Sequence, residues 1–159
     1  MRPGAESDFD AVWHCVDSVA RERAYLGFLE GPPIEGSRAF WRGLIDKGWP
    51  FEVAVDDGRV VGWCDIAPID RPVFGHIGSL GMGLLPSHRE RGIGRRLIGS
   101  ALDRARACRL ERVELHVFAT NLRARRLYES LGFVAEGTLR RRAKIDDRYL
   151  DEVVMALAL

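Results

Sequence analysis

Residues 75–99 read GHIGSLGMGLLPSHRERGIGRRLIG, and this stretch predicts the centre of the fold. It contains a glycine-rich apolar run that ends at Pro86, a basic loop with Gly92 and Gly94, and then an apolar helical pattern. The first N–H groups of a helix have no partner within the helix, so anions bind readily at that end. The order of strand, glycine loop and helix therefore predicts a phosphate-binding turn.

The residues around this turn indicate what it binds. Guanidinium groups match phosphate oxygens in a forked geometry, and four flank the loop: Arg89, Arg91, Arg95 and Arg96. The glycines of the preceding run are typical of a strand that another backbone or a ligand approaches closely. The Walker loop and the G-x-G-x-x-G fingerprint are excluded, because neither pattern is present. We expect a narrow ligand with phosphate groups beside this strand.

The rest of the chain alternates helical and strand-like patterns. Helices are predicted at residues 8–20, 37–47, 93–109 and 121–131, with N-caps at Ser7 or Asp8, at Ser37 and at Asn121. Strands are predicted at residues 51–55, 59–66, 74–84, 113–118, 133–136 and 149–159, with a short one at 1–3. A charged loop is expected at 140–148. The pattern is that of an α/β protein with a mixed sheet.

Length and composition limit the class of protein. With 159 residues, of which 47% are hydrophobic, the chain is expected to form one domain, residues 1–159. No apolar run is long enough to span a bilayer and the acidic start lacks a secretory signal, so a cytoplasmic location is expected. The three separated cysteines indicate neither a disulfide framework nor a zinc site, and no metal is expected: Cys15, Cys64 and Cys108.

Charge is divided unevenly along the chain. Residues 1–86 contain eight Lys and Arg against thirteen Asp and Glu, whereas residues 87–159 contain sixteen against ten. A basic half suits an anionic cofactor and an acidic half suits a cationic amine, although random surface variation explains the acidic half equally well. Nucleic acid is a poor fit, because acidic residues are interspersed among the basic ones.

A second motif lies in residues 115–133, which read LHVFATNLRARRLYESLGF. Asn121 and Tyr128 are seven residues apart, about two helical turns, so they face the same direction. Taken alone, this spacing also fits a helix cap and a core aromatic. The segment resembles the pattern N-x-x-A-x-x-L-Y-x-x-x-G-F of the GNAT family of N-acetyltransferases, and 89–94 resembles the family's coenzyme A signature, R-x-x-G-x-G. The matching positions are Asn121, Ala124, Leu127, Tyr128, Gly132 and Phe133, and Arg89, Gly92 and Gly94.

The resemblance covers residues 51–159 and weakens towards the N-terminus. It implies a GNAT-like acyl-CoA N-acyltransferase fold, with a mostly antiparallel sheet of six to seven strands flanked by about four helices. Residues 51–159 would form the acetyl-CoA-binding core, and residues 1–50 would supply variable helices on the acceptor side. The implied reaction transfers an acetyl group from acetyl-CoA to a primary amine of a small molecule or peptide by direct attack.

The resemblance also implies roles for particular residues. The thioester would lie against the backbone of Met82, Gly83 and Leu84, and Asn121 would contact the pantetheine arm. Tyr128 would act as the general acid that protonates the departing thiolate. The pyrophosphate would lie against the loop residues Arg89, Glu90, Arg91, Gly92, Ile93, Gly94 and Arg95.

The general base is left with two candidates. A base must deprotonate the ammonium group of the acceptor before attack. Some relatives carry Glu five residues before the motif asparagine, where this chain has His116. Imidazole ordinarily titrates near neutral pH, so His116 is one candidate, and Glu114 on the same strand face is the other. A purely structural role for His116 stays open.

The acceptor site is the least determined part. Phe28, Glu30, Asp65 and Asp70 are the candidates for contact with a cationic amine. Alternatively, the basic run at 140–148 binds an anionic substrate such as an amino acid carboxylate. A non-catalytic acyl-CoA-binding or sensing module is the rival function, and the edge of the last strands is a candidate homodimer surface.

Overall fold

The computed structural model describes residues 1–159 and contains one seven-stranded sheet with four α-helices. The strands are β1 (Arg2–Pro3), β2 (Phe51–Asp56), β3 (Arg59–Pro68), β4 (Ile77–Leu84), β5 (Arg112–Phe118), β6 (Val134–Ile145) and β7 (Arg148–Ala158). The helices are α1 (Phe9–Arg21), α2 (Ile34–Asp46), α3 (Ile93–Ala107) and α4 (Leu122–Glu129). None of these helices is long and apolar enough to cross a bilayer.

Helices cover both faces of the sheet. The strand order is β1-β2-β3-β4-β5-β7-β6, and every neighbouring pair is antiparallel except β4 and β5. On one face α3 buries a stripe of apolar residues, among them Leu97, Ile98 and Ala101. On the other face α1 and α2 pack Val12 and Trp41 against the first strands. The predicted mixed α/β fold with a mostly antiparallel sheet is confirmed.

The parallel pair β4 and β5 separates soon after it forms. Only Ile77–Ser79 pair with Arg112–Glu114. Beyond Ser79, β4 continues to Leu84 while remaining paired with β3, but its other edge has no strand partner. The polar backbone groups of an unpaired strand edge are available to another extended chain. The gap between the two strands is the feature that positions the site.

Several predicted boundaries were wrong. Helix α2 begins at Ile34 rather than at Ser37, because Pro33 is the N-cap residue and a proline next to a helix start costs no hydrogen bond. Strand β4 begins at Ile77, since Phe74 lies in a single 3-10 turn. The charged residues 140–145 belong to β6 rather than to a loop. Residues 143–145 pair with β7, the register shifts across residues 140–142, and most of these side chains are exposed to water.

Candidate active site

A cavity of about 330 Å³ lies where β4 and β5 separate. Its walls come from Val19 of α1 and from five further parts of the chain. They are Leu80–Leu84 of β4, the loop and helix start at 89–95, His116 and Val117 of β5, α4 with its cap, and the segment after α1 that contains Tyr25 and Leu26. The two predicted motifs therefore meet at one cavity.

The basic loop presents free backbone donors at the start of α3. Gly92, the N-cap residue, has φ +73°, in the left-handed region that glycine adopts without strain. The helix has no side-chain cap, so its first N–H groups are left without a partner. At Gly94 a Cβ atom would approach the Leu127 side chain to 3.1 Å, closer than an ordinary van der Waals contact, so glycine lets α3 and α4 meet here without displacing that side chain. This end of the cavity suits an anion.

Most of the predicted cofactor residues line the cavity, and two do not. Those that line it are Met82, Gly83, Leu84, Arg89, Glu90, Gly92, Gly94, Arg95 and Asn121. The side chain of Ile93 is buried in the core below α3. Arg91 is exposed and its guanidinium lies 3.6 Å from Asp56 instead.

Tyr128 is almost completely buried at the inner end of the cavity. It is 7% exposed and packs against Phe133, with 5.8 Å between the ring centroids. Burial raises the pKa of the Tyr128 phenol well above its usual value, so the hydroxyl keeps its proton. Asn121 caps α4, and its side-chain oxygen accepts a hydrogen bond of 3.2 Å from the Ala124 N–H. Both motif residues line the same cavity.

His116 lies on the cavity wall with a carboxylate beside it. Its Nδ1 atom is 2.9 Å from Oε2 of Glu152 on β7, and the imidazole is 41% exposed. Arg142 of β6 reaches the same carboxylate at 3.6 Å. The sequence analysis missed Glu152, because only the antiparallel register of β5 and β7 brings it next to His116. Glu114 does not line the cavity and lies 3.7 Å from Arg112.

None of the four predicted acceptor residues lines the cavity. Phe28, Glu30 and Asp70 are exposed on loops, and Glu30 pairs with Arg21 at 3.4 Å. Asp65 is buried on β3 behind Gly81, where a Cβ atom would lie 3.3 Å from its Oδ1. Burial raises the pKa of the Asp65 carboxyl to about 7.

Comparisons with known proteins agree on one family. Residues 16–133 match the acetyltransferase (GNAT) family. The chain is 32% identical over 159 residues to L-amino acid N-acetyltransferase AaaT of Escherichia coli, covering 98% of this chain and 95% of that protein.

Two solved structures share the fold. The ribosomal-protein-alanine N-acetyltransferase of Brucella melitensis is 24% identical, with a TM-score of 0.92 and coverage of 99% and 98% of the two chains. The protein yncA of Salmonella typhimurium, solved with its cofactor acetyl-CoA, is 22% identical, with a TM-score of 0.94 and coverage of 99% and 92%.

Two Gly→Ala substitutions around α3 are expected to have opposite effects on stability. At Gly92 alanine must adopt a left-handed conformation, which costs about 1–2 kcal/mol. At Gly99, inside the same helix with nothing within 4 Å of a Cβ atom, alanine should stabilise by about 0.5–1 kcal/mol. Urea unfolding of both variants measures the difference. Equal effects of the same sign would contradict the strain expected for alanine in place of Gly92.

The free energy of unfolding of Asp65→Asn, relative to that of wild type, is expected to increase as the pH rises from 4 to 8. A carboxyl whose pKa is raised by folding binds more protons in the folded state than in the unfolded state. Its contribution to the free energy of unfolding therefore decreases as the pH rises from its unfolded pKa, about 4, to its folded pKa, about 7. Asparagine cannot ionise and removes this loss. Urea unfolding at several pH values, with Asp70→Asn as the exposed control, measures it. A difference that is independent of pH would contradict the raised pKa of the buried Asp65 carboxyl.

Proposed function

The chain belongs to the GNAT acetyltransferase family, and from this premise we propose that it transfers the acetyl group of acetyl-CoA to the α-amine of an L-amino acid. The observation that carries the proposal is the cavity between β4 and β5, where a free strand edge, uncapped helix donors, a protonated phenol and an imidazole meet. The choice of acceptor is supported by the full-length similarity to an L-amino acid N-acetyltransferase.

The cavity fits acetyl-CoA at both of its ends. The free edge of β4 at Leu80–Leu84 can hydrogen-bond to the amides of an extended pantetheine arm, as an added strand would. The start of α3 and the guanidinium of Arg95 supply donors for a pyrophosphate. When bound, acetyl-CoA supplies an activated acetyl thioester.

In the proposed reaction the amine nitrogen forms a bond to the acetyl carbon while the carbon–sulfur bond breaks. His116 accepts a proton from the ammonium group, and Glu152 holds the Nδ1 side of the ring so that Nε2 is available as the base. Tyr128 donates its proton to the departing sulfur. The amine gives up two protons in all: one leaves through His116 to solvent, and the other restores the phenol.

The rival function is a module that binds acyl-CoA without turnover. The release of coenzyme A from acetyl-CoA, followed with a thiol reagent, distinguishes acetyl transfer from binding alone. The candidate acceptors to be added are L-amino acids, their D-enantiomers, spermidine and a peptide with N-terminal alanine. We expect release with one or more L-amino acids and little with the D-enantiomers. Preference for the peptide would move the acceptor to protein N-termini. Binding of acetyl-CoA by calorimetry without any release would favour the binding module.

Tyr128→Phe is expected to lower kcat by about 10²–10³-fold, because a positioned general acid typically contributes 10²–10⁴-fold. The affinity for acetyl-CoA should change little, since the ring still fills the same buried site. Steady-state kinetics and calorimetry measure the two effects, with Tyr149→Phe on the exposed β6–β7 hairpin as the matched control. An unchanged kcat would refute the general-acid role.

His116→Gln is expected to lower kcat/KM by about 10²-fold, because glutamine cannot accept a proton from the ammonium group of the acceptor. Glu152→Gln should give a smaller loss, because it removes the group that orients the ring but leaves the ring itself. Glu114→Gln tests the other candidate base. A larger loss for Glu114→Gln than for His116→Gln would assign the base to Glu114.

A further inference from the structure

Arg89, the first residue of the glycine-loop motif, has its side chain committed elsewhere. Nε donates a 3.0 Å hydrogen bond to the Leu84 carbonyl, and Nη1 donates a 2.8 Å bond to Oε2 of Glu22. Nη2 donates to the other oxygen of the same carboxylate, so the pair is bidentate. The side chain is only 12% exposed. Its charge is therefore matched by Glu22 rather than left free for a phosphate.

The same guanidinium also contacts the segment that closes the cavity. Its central carbon lies 4.9 Å from the ring centroid of Tyr25, and the Arg123 guanidinium carbon of α4 lies 5.7 Å from that centroid. A cation at this distance from an aromatic ring is attracted to the face of the ring, so both guanidinium groups help to hold Tyr25 in place. Tyr25 and the adjacent Leu26 form part of the cavity wall.

Residues 22–33, which we name the acceptor loop, also contact parts of the chain outside the phosphate-binding loop. The Trp13 indole N–H donates a 2.7 Å bond to the Pro32 carbonyl, and the Gly31 N–H donates one of the same length to Asp17. Arg23 pairs with Asp146 at the β6–β7 turn. Arg89 is the residue that ties the N-terminal part of this loop to the phosphate-binding loop.

We propose that Arg89 is a positioning residue, which holds Tyr25 and Leu26 against the cavity and links the acceptor loop to the cofactor-binding loop. Phosphate binding is then left to the backbone donors at the start of α3 and to Arg95, whose guanidinium has no carboxylate partner and donates only to Ser130. Loss of Arg89 releases a wall of the acceptor site while leaving the donors for pyrophosphate in place. Only the kinetic part of this inference rests on the proposed function.

The test uses Arg89→Ala, Glu22→Gln and the double variant that carries both changes. Arg95→Ala is measured for comparison. Hydrogen–deuterium exchange of peptides within 22–33 reports on the acceptor loop and needs no acceptor. We expect similar increases in exchange for both single variants and no further increase for the double variant, because both remove one interaction. Arg91→Ala, which removes a cation from the same loop, is the control for this exchange.

Binding of acetyl-CoA, measured by calorimetry, separates a positioning role from a phosphate contact. Arg89→Ala should change Kd by less than about 3-fold, whereas Arg95→Ala should weaken binding about 10-fold, as loss of a charged hydrogen bond does. With an amino acid identified as acceptor, Arg89→Ala and Glu22→Gln should both raise its KM more than they lower kcat.

Two results would overturn the proposal. The first is a loss of acetyl-CoA affinity of 10-fold or more in Arg89→Ala together with unchanged or tighter binding in Glu22→Gln, which would make Arg89 a phosphate ligand. The second is unchanged exchange of residues 22–33 in both single variants. Because exchange and calorimetry use no acceptor, failure of the proposed acetyl transfer to amino acids is seen separately, as absence of coenzyme A release.

Discussion

The parallel pairing of β4 with β5 ends after three residue pairs, and the candidate site depends on that interruption. A parallel ladder that continued to Leu84 would use up the backbone groups on this edge of β4. Instead the gap is bordered by Leu127 and Tyr128 of α4 and by Tyr25 and Leu26 of the acceptor loop. An unpaired strand edge of this kind has backbone groups that an extended ligand can pair with.

The gap places different chemistry at its two ends. At the end of β4 the first turn of α3 offers unpaired backbone donors and, in Arg95, a cation without a carboxylate partner, and both suit an anion. Further in, burial keeps the Tyr128 hydroxyl protonated, while His116 remains open to water and has a carboxylate at 2.9 Å. The candidate proton donor and the candidate base therefore come from α4 and β5, two elements that border the same gap between the strands.

The sequence analysis predicted the parts of the fold that depend on residues close together in the chain. The strand, glycine loop and helix at 75–99 follow from glycine conformation and helix-end donors, and the start of α4 follows from the Asn121 cap. The pairs Glu152 with His116 and Arg89 with Glu22 were not predictable, because they join residues 36 and 67 positions apart. The length of β6 was missed as well, because its charged side chains contact water on an exposed hairpin that is paired with β7 on both sides of residues 140–142.

The most direct test of the account is to locate bound acetyl-CoA by titrating ¹⁵N-labelled protein and following the backbone amide signals. The account predicts the largest shifts in Leu80–Leu84, in residues 90–95 and around Asn121, which border the gap between β4 and β5. Shifts concentrated elsewhere, for example in the polar crevice between α1 and α2 around Arg38, with the amides of β4 unchanged, would contradict it.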